Sequence, residues 1–213
     1  FMQAIEQLKA RGVEKLIIDL RRNGGGIMEA ATMIADQFLK EGQLIVYTEG
    51  RTRPRENDFA TSRGILKDDK VVVLIDESSA SASEILAGAI QDNDRGLVIG
   101  RRSFGKGLVQ EEMRFTDGSA LRLTVARYYT PTGRSIQRPY ENGKEDYYHD
   151  FRERIMRGEM EHQDSIKFDD SQKFVTPGGK IVYGGGGIMP DVFVPVDTLG
   201  SSEYYNKVRS LGL

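Results

Sequence analysis

The stretch "VVVLIDESSASASEILAGAIQDNDRGLVIGRRSFGKGLVQ", residues 71–110, decides the fold. Its first five residues are apolar and mostly β-branched, which favours a buried strand. Serines follow at 78, 79, 81 and 83, and a helical pattern over 83–91 begins at once. "RGLVIG" at 95–100 is the next short apolar run. Strand, helix and strand in direct succession make the unit from which a parallel sheet is built. The same stretch poses a chemical question, because Lys106 stands between two glycines, 25 residues after Ser81.

The alternation extends in both directions. Residues 2–10 have helical spacing, and Gly12 supplies a C-terminal stop. "KLIIDL" at 15–20 reads as a buried strand, "NGGG" at 23–26 breaks it, and helical periodicity resumes over 27–39. "QLIVYTEG" at 43–50 is a further strand. Beyond Lys106, "GLVQEEMRF" and "SALRLTVARYY" flank the turn "TDGS" and predict a hairpin. The class is α/β, with a largely parallel sheet and no internal repeat.

From residue 140 to about 177 the texture becomes strongly charged and poor in aliphatics. A surface helix fits roughly 146–160, but without a wide apolar stripe. "KIVYGGGGIMPDVFVPVD" at 180–197 returns to strand texture. The division expected is a core at 1–139, incomplete at its N-terminus, a charged surface excursion at 140–177, and a return to the core over 178–213. The glycines at 184–187 read as a turn or a close backbone approach. A phosphate loop would need a helix pattern or Gly-Lys-Ser/Thr after them.

Composition narrows the function. The 213 residues are 38% hydrophobic and 29% charged, with a net charge of −2 and no clustered basic face, so nucleic acid is not the expected partner. No apolar run reaches the roughly 18–20 residues that span a bilayer. The absence of cysteine excludes disulfides, thiolate metal sites and a cysteine nucleophile.

A serine hydroxyl is a weak nucleophile until a base takes its proton. The two histidines, His149 and His162, both lie in the charged excursion and read as surface residues rather than parts of a triad. Lysine is the alternative. A serine/lysine pair works when an amine of reference pKa about 10.4 is neutral near working pH, and burial moves it that way. "RRSFGKGLVQ" suits the task, with glycines on both sides of Lys106 and Phe104 and Leu108 to supply apolar surroundings. An exposed lysine in a glycine turn, and serines that merely cap a helix, are the plain readings of each signal taken singly.

Together, "ESSASASEILAGAI", "GRRSFGKGLVQ" and "IIDLRRNGGG" resemble the C-terminal processing (tail-specific) proteases, Ser/Lys peptidases of the crotonase/Clp-protease superfamily fold. "DGSALRLTVARYYTPTGRSIQ" and "GGIMPDVFVP" are similar to that family's downstream segments, so the resemblance runs in order from residue 12 to 195. It implies a ββα spiral core and a serine endopeptidase that cuts polypeptides near their C-termini through an acyl-enzyme. It makes Ser81 the nucleophile, Lys106 the general base and Gln110 the residue that orients the lysine. The oxyanion would be held by the backbone N–H of Ala82 and by one from Gly25 or Gly26. No metal or organic cofactor is implied. Substrates would be polypeptides with exposed C-termini, and a homo-oligomer is compatible. The implied location is extracytoplasmic, the periplasm or envelope of a bacterium. The family's PDZ-like module is not visible in this chain, so a non-catalytic peptide-binding domain on the same fold stands as the alternative. Glu84, in the first turn of the predicted helix, is expected to have a structural role, since a carboxylate on the ammonium would keep Lys106 charged.

A strand-like run from Lys106 to Gln110 would separate the two by roughly 13 Å at about 3.3 Å per residue. A contact between them therefore needs the chain to bend near Gly107.

Overall fold

A computed structural model describes residues 1–140 and 143–197, with the backbone alone at 144–148. The predicted return to the core therefore lies outside the described residues over 198–213. In chain order the elements are α1 (Met2–Ala10), β1 (Lys15–Asp19), α2 (Met28–Asp36), β2 (Leu44–Glu49), β3 (Glu56–Phe59) and β4 (Lys70–Ile75). There follow α3 (Ala82–Asp92), β5 (Leu97–Gly100), β6 (Leu108–Arg114), β7 (Ala120–Tyr129), α4 (Lys144–Met156), β8 (Lys173–Val175), β9 (Ile181–Tyr183) and β10 (Val192–Phe193).

The parallel sheet expected from the alternation is present, in the order β1-β4-β5-β10, and each neighbouring pair is parallel. The β-branched run of β4 lies between β1 and β5, with Val71, Val73 and Ile75 turned into the core. Helix α3 is buried along its whole length and packs against α2 and β2. Its Ala-Gly-Ala centre permits that, since small side chains let neighbouring backbones approach closely.

The strand at 43–50 does not join this sheet. As β2 it belongs to a second, antiparallel sheet of order β3-β2-β7-β6. Its partner is set by a cross-strand pair, Tyr47 opposite Tyr129, with rings stacked at 4.8 Å. The predicted hairpin forms as β6 and β7, and a register shift interrupts β6 between Val109 and Gln110. The unpaired residue is Val125, so the bulged strand is β7, and the contact between Lys106 and Gln110 for which a bend was expected does not form.

The glycines at 184–187 run close to their neighbours, with Gly185 and Gly187 donating to the carbonyls of Ser135 and Ile136. The close-approach reading stands. The helix predicted at 146–160 forms over Lys144–Met156, and it is more than surface, because Arg154 within it is fully buried. Among the described residues no helix is long and apolar enough to cross a membrane.

Candidate active site

The serine knot ties the ends of two strands together. Ser79, fully buried, donates to the Leu20 carbonyl at the end of β1 (2.7 Å) and accepts from the Asp76 N–H (2.9 Å). The Asp76 carboxylate accepts from the N–H groups of Arg22, Ser78 and Ser79. The Ala80 N–H donates to the Asn23 carbonyl. The glycine turn after β1 is thereby pressed against the residues that lead into α3.

Ser81 is the N-cap of α3, with φ 57° and ψ −119°. A non-glycine residue in this conformation carries strain of about 1–3 kcal/mol and is held by its surroundings. Gly25 is part of what holds it. Its own φ is +89°, and a Cβ there would lie 2.7 Å from the Ala82 nitrogen and 2.9 Å from the Ser81 Cβ. Only glycine lets the two turns meet so closely.

Glu84 joins the Ser81 turn to the Lys106 turn. It is fully buried, one turn into α3. Oε2 accepts from the N–H of Ser81 (2.8 Å) and of Lys106 (2.9 Å). Oε1 accepts from the Ser103 hydroxyl (2.5 Å) and the Gly105 N–H (2.7 Å). Burial pushes this carboxyl above its ordinary value, and the four donors pull the other way. The expected structural role is thus specific: Glu84 meets Lys106 through the backbone amide and leaves the ammonium alone. Among the described residues no hydrogen bond or ion pair reaches Lys106 Nζ.

Tyr128 makes a second bridge that the sequence analysis did not assign. Its hydroxyl reaches the carbonyl oxygens of Lys106 (2.5 Å) and Ser81 (3.0 Å), and its ring is buried. It lies within a segment on which the family resemblance rests, but nothing in its spacing announced the contact. Ser103, also unassigned, links the loop at 101–106 to Glu84 and accepts from the Ile188 N–H (2.6 Å).

Ser81, Ala82, Lys106 and Gln110 line one cavity of about 580 Å³, together with Gly26, Ile27, Met28, Ile85, Leu108 and Val109. Leu108 provides the apolar wall expected of it. Phe104 turns elsewhere, against the Arg138 guanidinium (4.1 Å) and the Phe151 ring. Gln110 shares the cavity, but its amide donates to Thr124 Oγ1 at 3.5 Å and not to Lys106. Of the two glycines expected to complete an oxyanion hole, Gly25 has its N–H engaged by Asn23 Oδ1 (2.9 Å). Among the described residues the N–H groups of Gly26 and Ala82 have no acceptor, and both residues border the cavity. His149 and His162 are exposed, as expected, with side chains 66% and 72% accessible. Among the described residues no group of acidic or histidine side chains could hold a metal ion.

The chain is 49% identical over 122 residues to a carboxy-terminal-processing protease of Bartonella bacilliformis, which covers 57% of this chain and 28% of that one. It is 40% identical over 136 residues to the chloroplastic C-terminal processing peptidase of Tetradesmus obliquus, covering 64% and 29% respectively. The chain thus spans under a third of the length of these relatives. Among solved structures, the photosystem II D1 C-terminal processing protease superposes with a TM-score of 0.63 at 30% identity, over 97% of this chain and 41% of that one. The model of peptidase family S41 matches residues 1–145. The chain belongs to peptidase family S41.

Proposed function

We propose that the full-length protein is a serine endopeptidase that cuts polypeptides near their C-termini, with Ser81 as nucleophile and Lys106 as general base. The observation that carries this reading is the shared cavity. Ser81 stands strained at the head of α3, and Lys106 borders the same space with no carboxylate on its Nζ among the described residues. Glu84 and Tyr128 clamp the two backbones together from either side.

The chemistry is acyl transfer. Ser81 Oγ attacks the scissile carbonyl carbon while its proton passes to Lys106 Nζ. The tetrahedral oxyanion is held by the N–H groups of Ala82 and Gly26, which border the cavity and have no acceptor among the described residues. Its position at the N-terminus of α3 adds the favourable end of the helix dipole. Lys106 then gives the proton to the departing amine. Water, deprotonated by Lys106, hydrolyses the Ser81 acyl ester and regenerates the hydroxyl. Gln110 is assigned to orient Lys106, which requires its weak contact to Thr124 to be exchanged for one to Nζ.

Substrate would lie extended beside β6, an edge strand whose residues 108–112 line the cavity. The preference for C-termini rests on the names of the processing proteases to which the chain is similar. The same relatives, bacterial and chloroplastic, support a site of action outside the cytoplasm.

The test is labelling of the full-length protein by a fluorophosphonate, with the adduct located by mass mapping. The expected result is modification at Ser81 that is lost in Ser81→Ala and strongly slowed in Lys106→Ala. Equal labelling of wild type and Lys106→Ala would remove the lysine base, and no labelling of the wild type would favour a peptide-binding domain.

A further inference from the structure

Arg154 lies in the charged excursion, beyond the residues matched by the family model, yet it is fully buried. Its Nη1 donates to the Ser103 carbonyl (3.1 Å) and its Nη2 to the Arg102 carbonyl (2.9 Å). Its Nε donates to Glu159 Oε1 (2.9 Å). Among the described residues, no backbone N–H satisfies either of those two carbonyls, so the guanidinium completes the loop that leads from β5 to Lys106. Phe151, three residues earlier and therefore on the same helical face, packs on Phe104 in that loop with ring centroids 6.0 Å apart. Asp150 pairs with Arg138 at 3.4 Å, and Arg138 lies against Gly105, where a Cβ would come within 2.6 Å of its Cγ.

We propose that Arg154 is a positioning residue for Lys106: α4 is laid over the loop at 101–106, and the two carbonyl contacts hold that loop in the register in which Ser103, Gly105 and Lys106 all reach Glu84. The inference rests on the assignment of Lys106 as the base for its meaning, but its geometry is independent of that assignment. The contacts form a continuous path. Arg154 grips the Ser103 carbonyl, the Ser103 hydroxyl donates to Glu84 Oε1, and Glu84 Oε2 accepts from both Ser81 and Lys106. A displacement of the loop at Ser103 therefore reaches the nucleophile and the base together.

The cost of the arrangement argues for a role beyond attaching a helix. Arg154 shares its surroundings with Arg138, which is buried, and Arg102, which is mostly so, against the carboxylates of Glu159 and Asp150. Desolvation holds the Arg154 guanidinium below its ordinary value and brings Arg102 down to about 10. Apolar residues would dock a helix at less expense, because buried charges are costly even when paired. A fork of fixed donors is what two adjacent carbonyls require, and lysine offers only a point charge.

The test uses the full-length protein with Arg154→Met and Arg154→Lys, read by hydrogen exchange at the Gly105 and Lys106 amides relative to amides of β4 and α3. Losing the two charge-assisted carbonyl contacts should speed exchange at the loop amides by roughly tenfold to hundredfold or more in Arg154→Met, with Arg154→Lys between it and wild type. In peptide cleavage the same order should be seen in kcat, with KM little changed. Faster exchange everywhere, with the ratio of loop to core unchanged in both variants, would overturn the proposal, since Arg154 would then serve general stability. Wild-type exchange at the loop amides in Arg154→Met would overturn it too. A wild type that no fluorophosphonate labels would defeat the protease reading alone, and the exchange ratio would still decide whether Arg154 places the Lys106 backbone.

Discussion

Replacing Glu84 by glutamine keeps the volume of the side chain and changes what its two ends can do. The carboxylate accepts four hydrogen bonds, two at each oxygen. If the new NH2 group takes the place of Oε2, it faces the N–H groups of Ser81 and Lys106, and two buried donors are orphaned. If it takes the place of Oε1, the Ser103 hydroxyl can rotate to accept, and only the Gly105 N–H is left without a partner. The second arrangement is the less costly one. A buried donor without an acceptor costs about 1–3 kcal/mol, and the remaining contacts lose their charge assistance. Relief of the carboxylate's desolvation acts in the opposite direction. The balance expected is a loss of about 1–3 kcal/mol, centred on the residue next to Lys106. Urea denaturation of the full-length variant should show a lower midpoint with an unchanged slope, and fluorophosphonate labelling of Ser81 should slow by about tenfold or more. A variant as stable as wild type or more so, labelled at the same rate, would refute the reasoning, because desolvation would then outweigh the bridge.

Three further outcomes are expected. Glu84 has a folded pKa raised above its ordinary 4.5, so the folded state binds this proton more tightly than the unfolded chain does. The group therefore adds stability below the unfolded value and loses that contribution as pH rises through the folded one. Its protonation should thus precede acid unfolding, and difference infrared spectra against Glu84→Gln should show a buried carboxyl signal emerging above pH 4.5 while circular dichroism stays native; emergence at or below 4.5 would contradict the shift. Gly25→Ala places a methyl group against the backbone of Ala80 and Ala82 at φ +89° and should cost roughly 2–4 kcal/mol in urea denaturation, whereas Gly26→Ala, with open space at its Cβ, should cost well under half of that. Tyr128→Phe leaves the Lys106 carbonyl without its hydroxyl donor, so a stability loss of about 1–2 kcal/mol together with slower Ser81 labelling is expected, and unchanged labelling would show that the hydroxyl does not position the pair.

Much of this site was legible before any coordinate. The β-branched run of β4, the helix behind it and the hairpin after Lys106 follow from periodicity and turn chemistry, because those signals act over a few residues. The pairing of Ser81 with Lys106 was implied by the family resemblance, and both residues border one cavity. The departure of β2 into a second sheet was not legible, since its apolar pattern is the same whichever sheet it joins, and the choice rests on Tyr47 meeting Tyr129. That the Gly25 N–H is taken by Asn23 Oδ1 was likewise not legible, since nothing in the run of glycines distinguishes one amide from the next.

The sequence by itself determined the alternation of elements, the residue types available for chemistry and the exclusion of thiolate and disulfide chemistry, because each depends only on local order and composition. Tertiary structure decided what holds Ser81 and Lys106 in place. Glu84, Tyr128 and Arg154 act on backbone atoms as far as 21 to 52 residues away, and a hydrogen bond to a distant amide or carbonyl leaves no periodic trace in the chain that makes it.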